Sequence, residues 1–404
     1  MAERRGPTVT PGDCVLFSTA DWDEPYWTNK QHTARALARQ GWRVLYVESV
    51  GLRAPRMSSG KDWSRIWHRL WRGLRSTLFA PPQRESNLWV LSPLMVPAMH
   101  HWPLVRGFNQ ALLRWSVGRF AKKHACRRPI LWTYHPFMLP AVQNLQHGPL
   151  VYHCVDDLAA VPGVDVAAFR RAQQQLLGRS DAVFTTAVAL LEQCRPHNAN
   201  THFFANVVDA EHFGTALSAQ ALPADLAVIP GPRLVYHGVL SDFKVDFALL
   251  LAAVAMRPDW QWVFIGEERE GQRSEFVSRL RERPNVHFLG YRSYADLPGY
   301  LRGMSVGLLP TQLNDYTRSM FPMKYFEYLA AGLPVVSTPL DFTRHQSQGL
   351  EIGADAAQFV AAIERQLARG KLSHAEAKAY VGENTWDART LKMLEYVWPE
   401  RDRS

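Results

Sequence analysis

Short apolar runs, rich in β-branched and aromatic residues, alternate along the chain with longer segments that carry apolar residues on one helical face. This alternation is typical of α/β proteins with parallel sheets, because a strand buried on both faces is apolar at nearly every position. In the first half the pattern predicts a helix at 31–40 and strands at 14–19, 43–49, 129–136, 150–157, 182–187 and 201–209.

A second series of the same kind follows a stretch rich in Pro, Gly and Ala at 217–232, which we interpret as a linker. Two such series in tandem predict two Rossmann-like domains, with ligands at the carboxyl ends of the strands and a shared cleft between them. The second series predicts a helix from about Asp246 and strands at 233–240, 260–267, 285–291, 306–311 and 334–338.

The composition is that of an ordinary globular protein, with 404 residues of which 47% are hydrophobic and 21% charged. The four cysteines lie far apart without a C-x-x-C pair, which argues against a zinc ribbon, an iron–sulfur site or a disulfide framework. The N-terminal segment has no apolar core, and the longest apolar run, 247–256, is too short to cross a bilayer. We therefore expect a cytoplasmic protein with no secretory signal and no membrane span.

The positive charge is concentrated in the first half: residues 1–205 carry a net charge of +12 and the remainder −3, within a total of +9. Segment 62–79 combines this positive charge with the spacing of an amphipathic helix. Its apolar residues fall on one helical face and its arginines on the other positions. Such a helix is typical of one that lies in an anionic lipid interface. Two alternatives are a core helix with a solvated arginine face and, without any recognised signature, a nucleic-acid contact. The apolar positions are Trp63, Ile66, Trp67, Leu70, Trp71, Leu74 and Leu78, and the arginines are Arg65, Arg69, Arg72 and Arg75.

The densest group of candidate functional residues is segment 313–338, LNDYTRSMFPMKYFEYLAAGLPVVST. Pro322 suits the first residue of a helix, Lys324 and Glu327 then share one helical face, and Gly332 ends the helix. Orphan amides and the helix dipole at such an end favour a diphosphate, and a carboxylate one turn further can accept two hydrogen bonds from a ribose diol. The alternative is an ordinary surface Lys–Glu pair. We predict free backbone N–H groups in the preceding loop at Ser319, Met320 and Phe321.

This segment resembles the donor-nucleotide signature of retaining GT-B glycosyltransferases of the family 4 type, especially bacterial exopolysaccharide, capsule and teichuronic acid enzymes with the motif P-x-K-x-x-E-Y-L-A-A-G-x-P-V-V-S-T. The resemblance implies a GT-B fold, with an acceptor domain at 1–205, a donor domain at 206–385 and a last helix at 386–404 that crosses back to the first domain. Further matches to the family are ANVVD at 205–209 with Phe213, HGVLSDFK at 237–244, the strand and helix at 283–301, and W-x-x-R at Trp386–Arg389.

The resemblance also implies roles for individual residues. Glu327 would bind the ribose, and Lys244 and Lys324 would bind the diphosphate and stabilise the charge of the leaving phosphate. The chain departs from the family pattern at Ser319, where the Glu-x7-Glu motif has its first Glu, and at Val207, where a Gly is usual. We therefore expect Asn314, Asp315 or Thr317 to take over sugar contacts. The complete predicted donor set is Lys244, Lys324, Glu327, Gly238, Ser319, Met320, Phe321, Thr317, Asn314 and Glu267.

In the first half, polar residues end two neighbouring predicted strands. His135 follows one, and Asp156 with Asp157 follows the next, so we predict that they are catalytic as a base or as groups that orient the acceptor, since one pKa of a close carboxylate pair rises. The alternative for each is a structural hydrogen bond, and we expect His153 to point into the fold. The loop at 18–32 offers candidates for binding acceptor hydroxyls, namely Asp21, Asp23, Asn29 and His32.

Together these features predict a glycosyltransferase on the cytoplasmic face of the inner membrane. It would move a sugar from a nucleoside diphosphate sugar to a lipid-linked glycan in polysaccharide biosynthesis, with retention and, by resemblance, without a metal or other cofactor. Two alternatives stay open: a nucleotide-sugar epimerase or hydrolase of the same fold, and a non-catalytic nucleotide-sugar-binding scaffold. A nicotinamide dehydrogenase is disfavoured because no G-x-G-x-x-G follows the first strand of either domain.

Overall fold

The structure is a computed structural model that describes residues 10–49, 80–94, 103–161, 163–268 and 274–398. The basic segment predicted to form a lipid-facing helix, 62–79, lies outside the described residues. The chain divides into two compact units, the first comprising residues up to 185, 190–204 and those from 390 onward, and the second comprising 186–189 and 205–389.

The first unit is built on an eight-stranded sheet with the order β3-β4-β2-β1-β5-β6-β7-β8. All neighbouring strands are parallel except the edge pair β3 and β4. In the centre, Val15 pairs with Leu45 on one side and Leu131 on the other. The strands are β1 Asp13–Phe17, β2 Arg43–Val47, β3 Gln83–Glu85, β4 Leu88–Leu91, β5 Ile130–Thr133, β6 Leu150–Cys154, β7 Ala182–Thr185 and β8 Thr201–Phe203.

The second unit is built on a six-stranded, fully parallel sheet with the order β11-β10-β9-β12-β13-β14. Alternate residues of its central strands belong to different cores: Val235 and Val263 pack in one apolar cluster, Leu234 and Trp262 in the other. Burial on both faces explains why these strands are continuous apolar runs. The strands are β9 Arg233–His237, β10 Gln261–Ile265, β11 Val286–Gly290, β12 Val306–Leu309, β13 Val335–Ser337 and β14 Leu350–Ile352.

Helices connect the strands, and side-chain caps mark where several of them begin. The helix predicted from about Asp246 begins at Phe247, because the Asp246 carboxylate accepts the Leu249 N–H at 2.9 Å. No helix in the described part of the chain is long and apolar enough to cross a membrane. The α-helices are α1 Asn29–Arg39, α2 Pro103–Lys123, α3 Leu139–Val142, α4 Val166–Leu177, α5 Val188–Cys194, α6 Ala210–Gly214, α7 Ala224–Ala227, α8 Phe247–Met256, α9 Glu275–Arg281, α10 Leu297–Arg302, α11 Asp315–Arg318, α12 Lys324–Ala330, α13 Ala356–Arg369, α14 His374–Val381 and α15 Trp386–Leu394. Short 3-10 turns occur at Pro136–Met138, Leu158–Ala160, Thr215–Leu217 and Asp341–Arg344.

Every strand predicted from the apolar runs is present, but the predicted linker at 217–232 is wrong. Leu226 and Ile229 from this stretch are buried in the core of the second unit, and α7 lies within it. The division between the units falls instead at 204 and 205. At the C-terminus, Met393, Leu394 and Val397 pack in the core of the first unit. The Pro and Gly residues of 217–232 therefore belong to turns within one domain, because these residues are common in loops within domains as well as in linkers between them.

Candidate functional site

The strand order of the second unit reverses at β9, whose neighbours are β10 and β12. Ligands of open α/β sheets bind in the crevice outside the carboxyl ends of strands at such a switch point. Helix α12 packs against this part of the sheet through Tyr328, whose hydroxyl accepts the His237 N–H at 3.2 Å and donates to the Val235 carbonyl at 3.2 Å. Gly307 in β12 makes room for that ring, since a Cβ there would lie 2.4 Å from Tyr328 Cγ. The sheet thus holds α12 with its first turn beside the end of β9.

A buried acid–base pair lies at this switch point. His237, the last residue of β9, places Nε2 3.3 Å from Glu327 Oε2 in α12, and the two side chains are only 6% and 8% exposed. The contact has an ion-pair distance but not hydrogen-bond geometry, so the Nε2 atom has no hydrogen-bond partner among the described residues. Burial lowers the pKa of His237, and the neighbouring Glu327 raises it only in part, so the ring is neutral at neutral pH.

The turn after β9 allows a close approach of backbone and side chains. Gly238 has φ +122° and Gly266, after β10, has φ +148°, conformations that side chains disfavour. A Cβ at Gly266 would lie 1.9 Å from the carbonyl oxygen of Gly238, and one at Gly238 would lie 2.9 Å from Lys324 Nζ. Gly238 therefore lies against the Lys324 side chain, as expected for a turn that admits a ligand.

Two lysines converge on this turn. Lys324 Nζ lies 5.5 Å from the centre of the Tyr236 ring, and Lys244 Nζ lies 5.1 Å from that of Tyr316. Burial lowers the pKa of Lys324, Glu327 raises it, and the charge of Lys244 lowers it further. Within the described ranges neither ammonium group forms an ion pair with a carboxylate. Two cations near each other without such a partner are suited to a polyanionic ligand.

The start of α12 differs from the prediction. The helix begins at Lys324 rather than Pro322. The amides of Ser319 and Met320, predicted to be free, instead donate to the carbonyls of Tyr316 at 3.2 Å and Thr317 at 3.1 Å, because residues 315–318 form a helical turn of their own. Amides without an acceptor among the described residues lie slightly further along, at Phe321, Met323 and Lys324.

The predicted sugar-binding loop is held by its own hydrogen bonds. Asn314 caps α11 by accepting the Thr317 N–H at 2.9 Å, and its amide donates to the Phe243 carbonyl at 2.8 Å. Thr317 is fully buried, and its hydroxyl donates to the Gln312 carbonyl and accepts the Asn314 N–H at 3.0 Å. The Phe321 ring packs against Phe326 and Phe342 in the core, so only its backbone can reach a ligand. Sugar contacts by Asn314 or Thr317 would have to replace these bonds.

The remaining predicted donor residues differ in accessibility. The Ser319 side chain is buried, and Met320 is half-buried. The Glu267 side chain is exposed, and its carbonyl accepts the Leu240 N–H at 3.0 Å, which supports the turn after β9.

Asp157 and His135 in the first unit have structural partners. One Asp157 oxygen accepts the Ala159 N–H at 3.2 Å, and the other forms an ion pair with Arg170 at 2.7 Å. His135 Nδ1 accepts the Phe137 N–H at 3.3 Å, so its Nε2 carries the proton. Burial and the charge of Lys30 lower the pKa of His135 to about 4, so the ring is neutral at neutral pH.

The other polar residues singled out in the first unit range from buried to exposed. The prediction that His153 points into the fold is confirmed, because the residue is fully buried and accepts a hydrogen bond from Trp132 Nε1 at 3.3 Å. Asn29 and His32, proposed to meet acceptor hydroxyls, are buried as well. Asp23 is exposed and forms an ion pair with Arg84 at 2.8 Å. Asp156 is half-buried, next to the end of β6.

Sequence reasoning missed His237. The available signal was the one that selected His135, a polar residue at the end of an apolar strand, here in RLVYH directly before a glycine. Its pairing with Glu327 depends on the crossing of α12 over β9, which no local pattern encodes.

Comparison with known proteins agrees with this geometry. Residues 231–369, which include the switch point, His237, Lys324 and Glu327, match the family model of glycosyl transferases group 1. The second unit thus contains a group 1 glycosyltransferase domain, and the chain is a glycosyltransferase with the GT-B fold.

Among individual relatives, the chain is 26% identical over 291 residues to TuaH of Bacillus subtilis (strain 168), named as a teichuronic acid biosynthesis glycosyltransferase, covering 67% of this chain and 72% of TuaH. Among solved structures, Anabaena HepE in complex with UDP and glucose matches with a TM-score of 0.62 and 15% identity, covering 94% of this chain and 97% of HepE. Sucrose-phosphate synthase from Thermosynechococcus elongatus matches with a TM-score of 0.61 and 14% identity, covering 97% and 96%. At these identities the structural matches support the fold alone.

Proposed function

We propose that this glycosyltransferase moves a sugar from a nucleoside diphosphate sugar to a lipid-linked glycan at the cytoplasmic face of a membrane, with retention of the anomeric configuration. The observation that carries the donor assignment is the buried Glu327 carboxylate beside neutral His237 and Lys324 at the switch point. TuaH, named for teichuronic acid biosynthesis, and HepE, solved with UDP and glucose, support the class of acceptor and of donor.

Glu327 would hold the ribose. A buried carboxylate is costly unless it accepts strong hydrogen bonds, and His237 covers only one of its oxygens at 3.3 Å. A vicinal diol supplies two O–H donors to one carboxylate. Glu327 therefore fits a ribose whose binding completes the hydrogen bonds that the folded chain leaves unmade.

Lys324, Lys244 and the amides at the start of α12 would hold the diphosphate. Transfer breaks the bond between the sugar and the diphosphate, so negative charge grows on the leaving phosphate oxygen. Preorganised cations and N–H donors at that place lower the barrier, and this electrostatic contribution is usually the largest single one. Lys324 is half-buried, and the low polarity around its side chain strengthens the attraction.

The first unit would bind the acceptor. His135, neutral with its proton on Nε2, can donate a hydrogen bond to a substrate oxygen but does not accept a proton from it at that atom. Asp157 is held by Arg170. Asp156, half-buried next to the end of β6, is the carboxylate proposed to orient the acceptor hydroxyl. With retention, the donor phosphate itself would take the acceptor proton.

Segment 62–79 would bring this chain to an anionic membrane surface, where a lipid-linked acceptor is found. Substitution of Trp67 by Glu is expected to weaken co-sedimentation of the full chain with phosphatidylglycerol vesicles, because it puts a charge on the apolar face. Binding equal to that of the wild type would contradict this part of the proposal.

A donor panel tests the function as a whole. Thermal unfolding is measured with UDP-, GDP- and dTDP-sugars, on the wild type, Glu327→Gln and the matched exposed control Glu282→Gln. One nucleotide family should raise the Tm of the wild type and control, since a ligand stabilises by mass action, and about tenfold or more affinity should be lost in Glu327→Gln.

The preferred donor is then incubated alone and with a membrane extract that supplies lipid-linked glycans. Sugar transferred into the lipid fraction supports the proposal. Isomerised or released sugar from the donor alone would instead establish the epimerase or hydrolase alternative, and binding without turnover would establish the scaffold.

A further inference from the structure

Helix α2, at Pro103–Lys123, presents large apolar side chains to the outside of the first unit. Leu104, Phe108 and Trp115 are 84%, 58% and 49% exposed. Their spacings of four and seven residues place them on one face, together with exposed Ala111. We call this set, with Arg119 and Lys122 at its C-terminal end, the α2 outer face.

The opposite face of α2 is the one that docks on the unit. Leu113, Val117 and Phe120 are buried, and so are the polar residues Asn109 and Ser116. The Ser116 hydroxyl donates to the Leu112 carbonyl at 2.9 Å, which satisfies it inside the fold. The helix thus buries two polar residues while it exposes three large apolar ones, the reverse of the arrangement expected for a helix that faces water.

The charged residues of α2 and of the sequence on either side of it have a single sign. Residues 86–155 contain seven Lys or Arg and no Asp or Glu, and five of the seven are in α2. Arg119 lies with its guanidinium 5.3 Å from the centre of the Trp115 ring, and Lys122, one turn further, is exposed. Cations therefore border the apolar stripe without any acidic residue in this part of the sequence.

We propose that the α2 outer face lies in the interface of an anionic lipid bilayer, with Leu104, Phe108 and Trp115 among the acyl chains and Arg119 and Lys122 at the lipid phosphates. Single exposed apolar residues are ordinary, but an apolar stripe that ends in two cations on the same helix is complementary to a surface that is apolar beneath and anionic above. Trp beside Arg suits the boundary between these layers. This surface extends the membrane contact of the proposed function, on residues separate from 62–79, and does not depend on which donor the second unit binds.

The test is co-sedimentation of the full-length protein with vesicles of phosphatidylcholine alone or mixed with phosphatidylglycerol. The double variant Phe108→Glu/Trp115→Glu is compared with the wild type and with Val228→Glu, an apolar-to-acid change at an 81% exposed position of the second unit. We expect the double variant to bind the mixed vesicles about tenfold or more weakly, since two acids in the apolar layer are costly, and Val228→Glu to bind as the wild type does. Arg119→Gln/Lys122→Gln should reduce binding to the mixed vesicles and flatten its dependence on salt.

The increase in Tm on addition of donor should be the same in the double variant as in the wild type. This would show that the second unit of the variant is folded and that donor binding does not depend on the α2 outer face. The proposal is overturned if the double variant binds vesicles as the wild type does, or if the wild type does not prefer phosphatidylglycerol. It is also overturned if light scattering shows that the double substitution breaks a dimer while vesicle binding is unchanged, because the face would then contact a second copy of the chain.

Discussion

The ends of β9 and β5 make an instructive comparison. Both are carboxyl ends of parallel strands that carry a histidine, and each histidine is neutral because burial lowers its pKa. In the first unit, His135 accepts a backbone N–H, and Asp157, after the neighbouring strand β6, is neutralised by Arg170. In the second unit, His237 meets Glu327 without a good hydrogen bond, and Lys324 has no carboxylate partner among the described residues. A strand end that leaves its polar groups unsatisfied is the better candidate for a ligand site, because a ligand can complete them.

The largest effect that would sharpen this comparison is expected at Lys324. Lys324→Met removes the cation nearest the proposed leaving phosphate while it keeps the length of the side chain. The turnover number with the preferred donor should fall by about 10²–10³, the usual cost of removing one preorganised charge or donor. Lys378→Met, at an exposed position of α14, is the control and should keep its activity. An unchanged turnover number in Lys324→Met would exclude the diphosphate assignment.

The next effect concerns the glycine turn that admits the ligand. Gly266→Ala would place a Cβ against the carbonyl of Gly238 and force a backbone shift. We expect the free energy of unfolding to fall by about 3 kcal/mol, measured by urea denaturation. Gly118→Ala, in α2 with nothing near the added Cβ, should raise it by about 0.5–1 kcal/mol. Equal stability in the two variants would mean that the close approach at Gly266 does not exist.

A pH experiment tests the burial of His135, the histidine after β5 in the first unit. The folded pKa of His135 is about 4 against an ordinary 6.5, so the unfolded chain takes up this proton first as the pH falls. Its contribution to stability is therefore present above 6.5, decreases between 6.5 and about 4, and is constant below. His135→Asn should remove this acid sensitivity, about 3 kcal/mol across the range, since each unit of pKa shift corresponds to about 1.4 kcal/mol. The measurement is the free energy of unfolding of both proteins across that range, and parallel curves would show that His135 is not buried as described.

The smallest effect is expected at Asp157, whose role we take to be structural. Asp157→Asn weakens the ion pair with Arg170 and should lower the free energy of unfolding by about 1 kcal/mol, with little change in turnover. Arg170→Gln, which removes the other partner, should behave alike. A turnover number about 100-fold lower in Asp157→Asn, without loss of stability, would contradict this structural role. It would show that Asp157 takes part in catalysis.

Much of the fold was predictable, because buried parallel strands are apolar at nearly every position and stand out against helical segments. β3, β4 and β14 were missed because they are short, at three, four and three residues, and lie at or next to the edges of their sheets. Glu327 and Lys324 could be proposed from one motif, since their spacing on a helix is local information. The amides of Ser319 and Met320 were placed wrongly because the α11 turn that uses them is too short to show a periodicity. The place of His237 in the site could be recognised only from the packing of Tyr328 against Gly307, because this contact joins distant parts of the chain.

The most direct test of the central claim is a crystal structure of the wild-type chain with the nucleoside diphosphate that its donor panel selects. The account predicts ribose hydroxyls on the Glu327 carboxylate and the two phosphates between Lys244, Lys324 and the amides at the start of α12. A nucleotide bound with its ribose elsewhere, or a switch point filled by protein side chains while transfer activity persists, would contradict it.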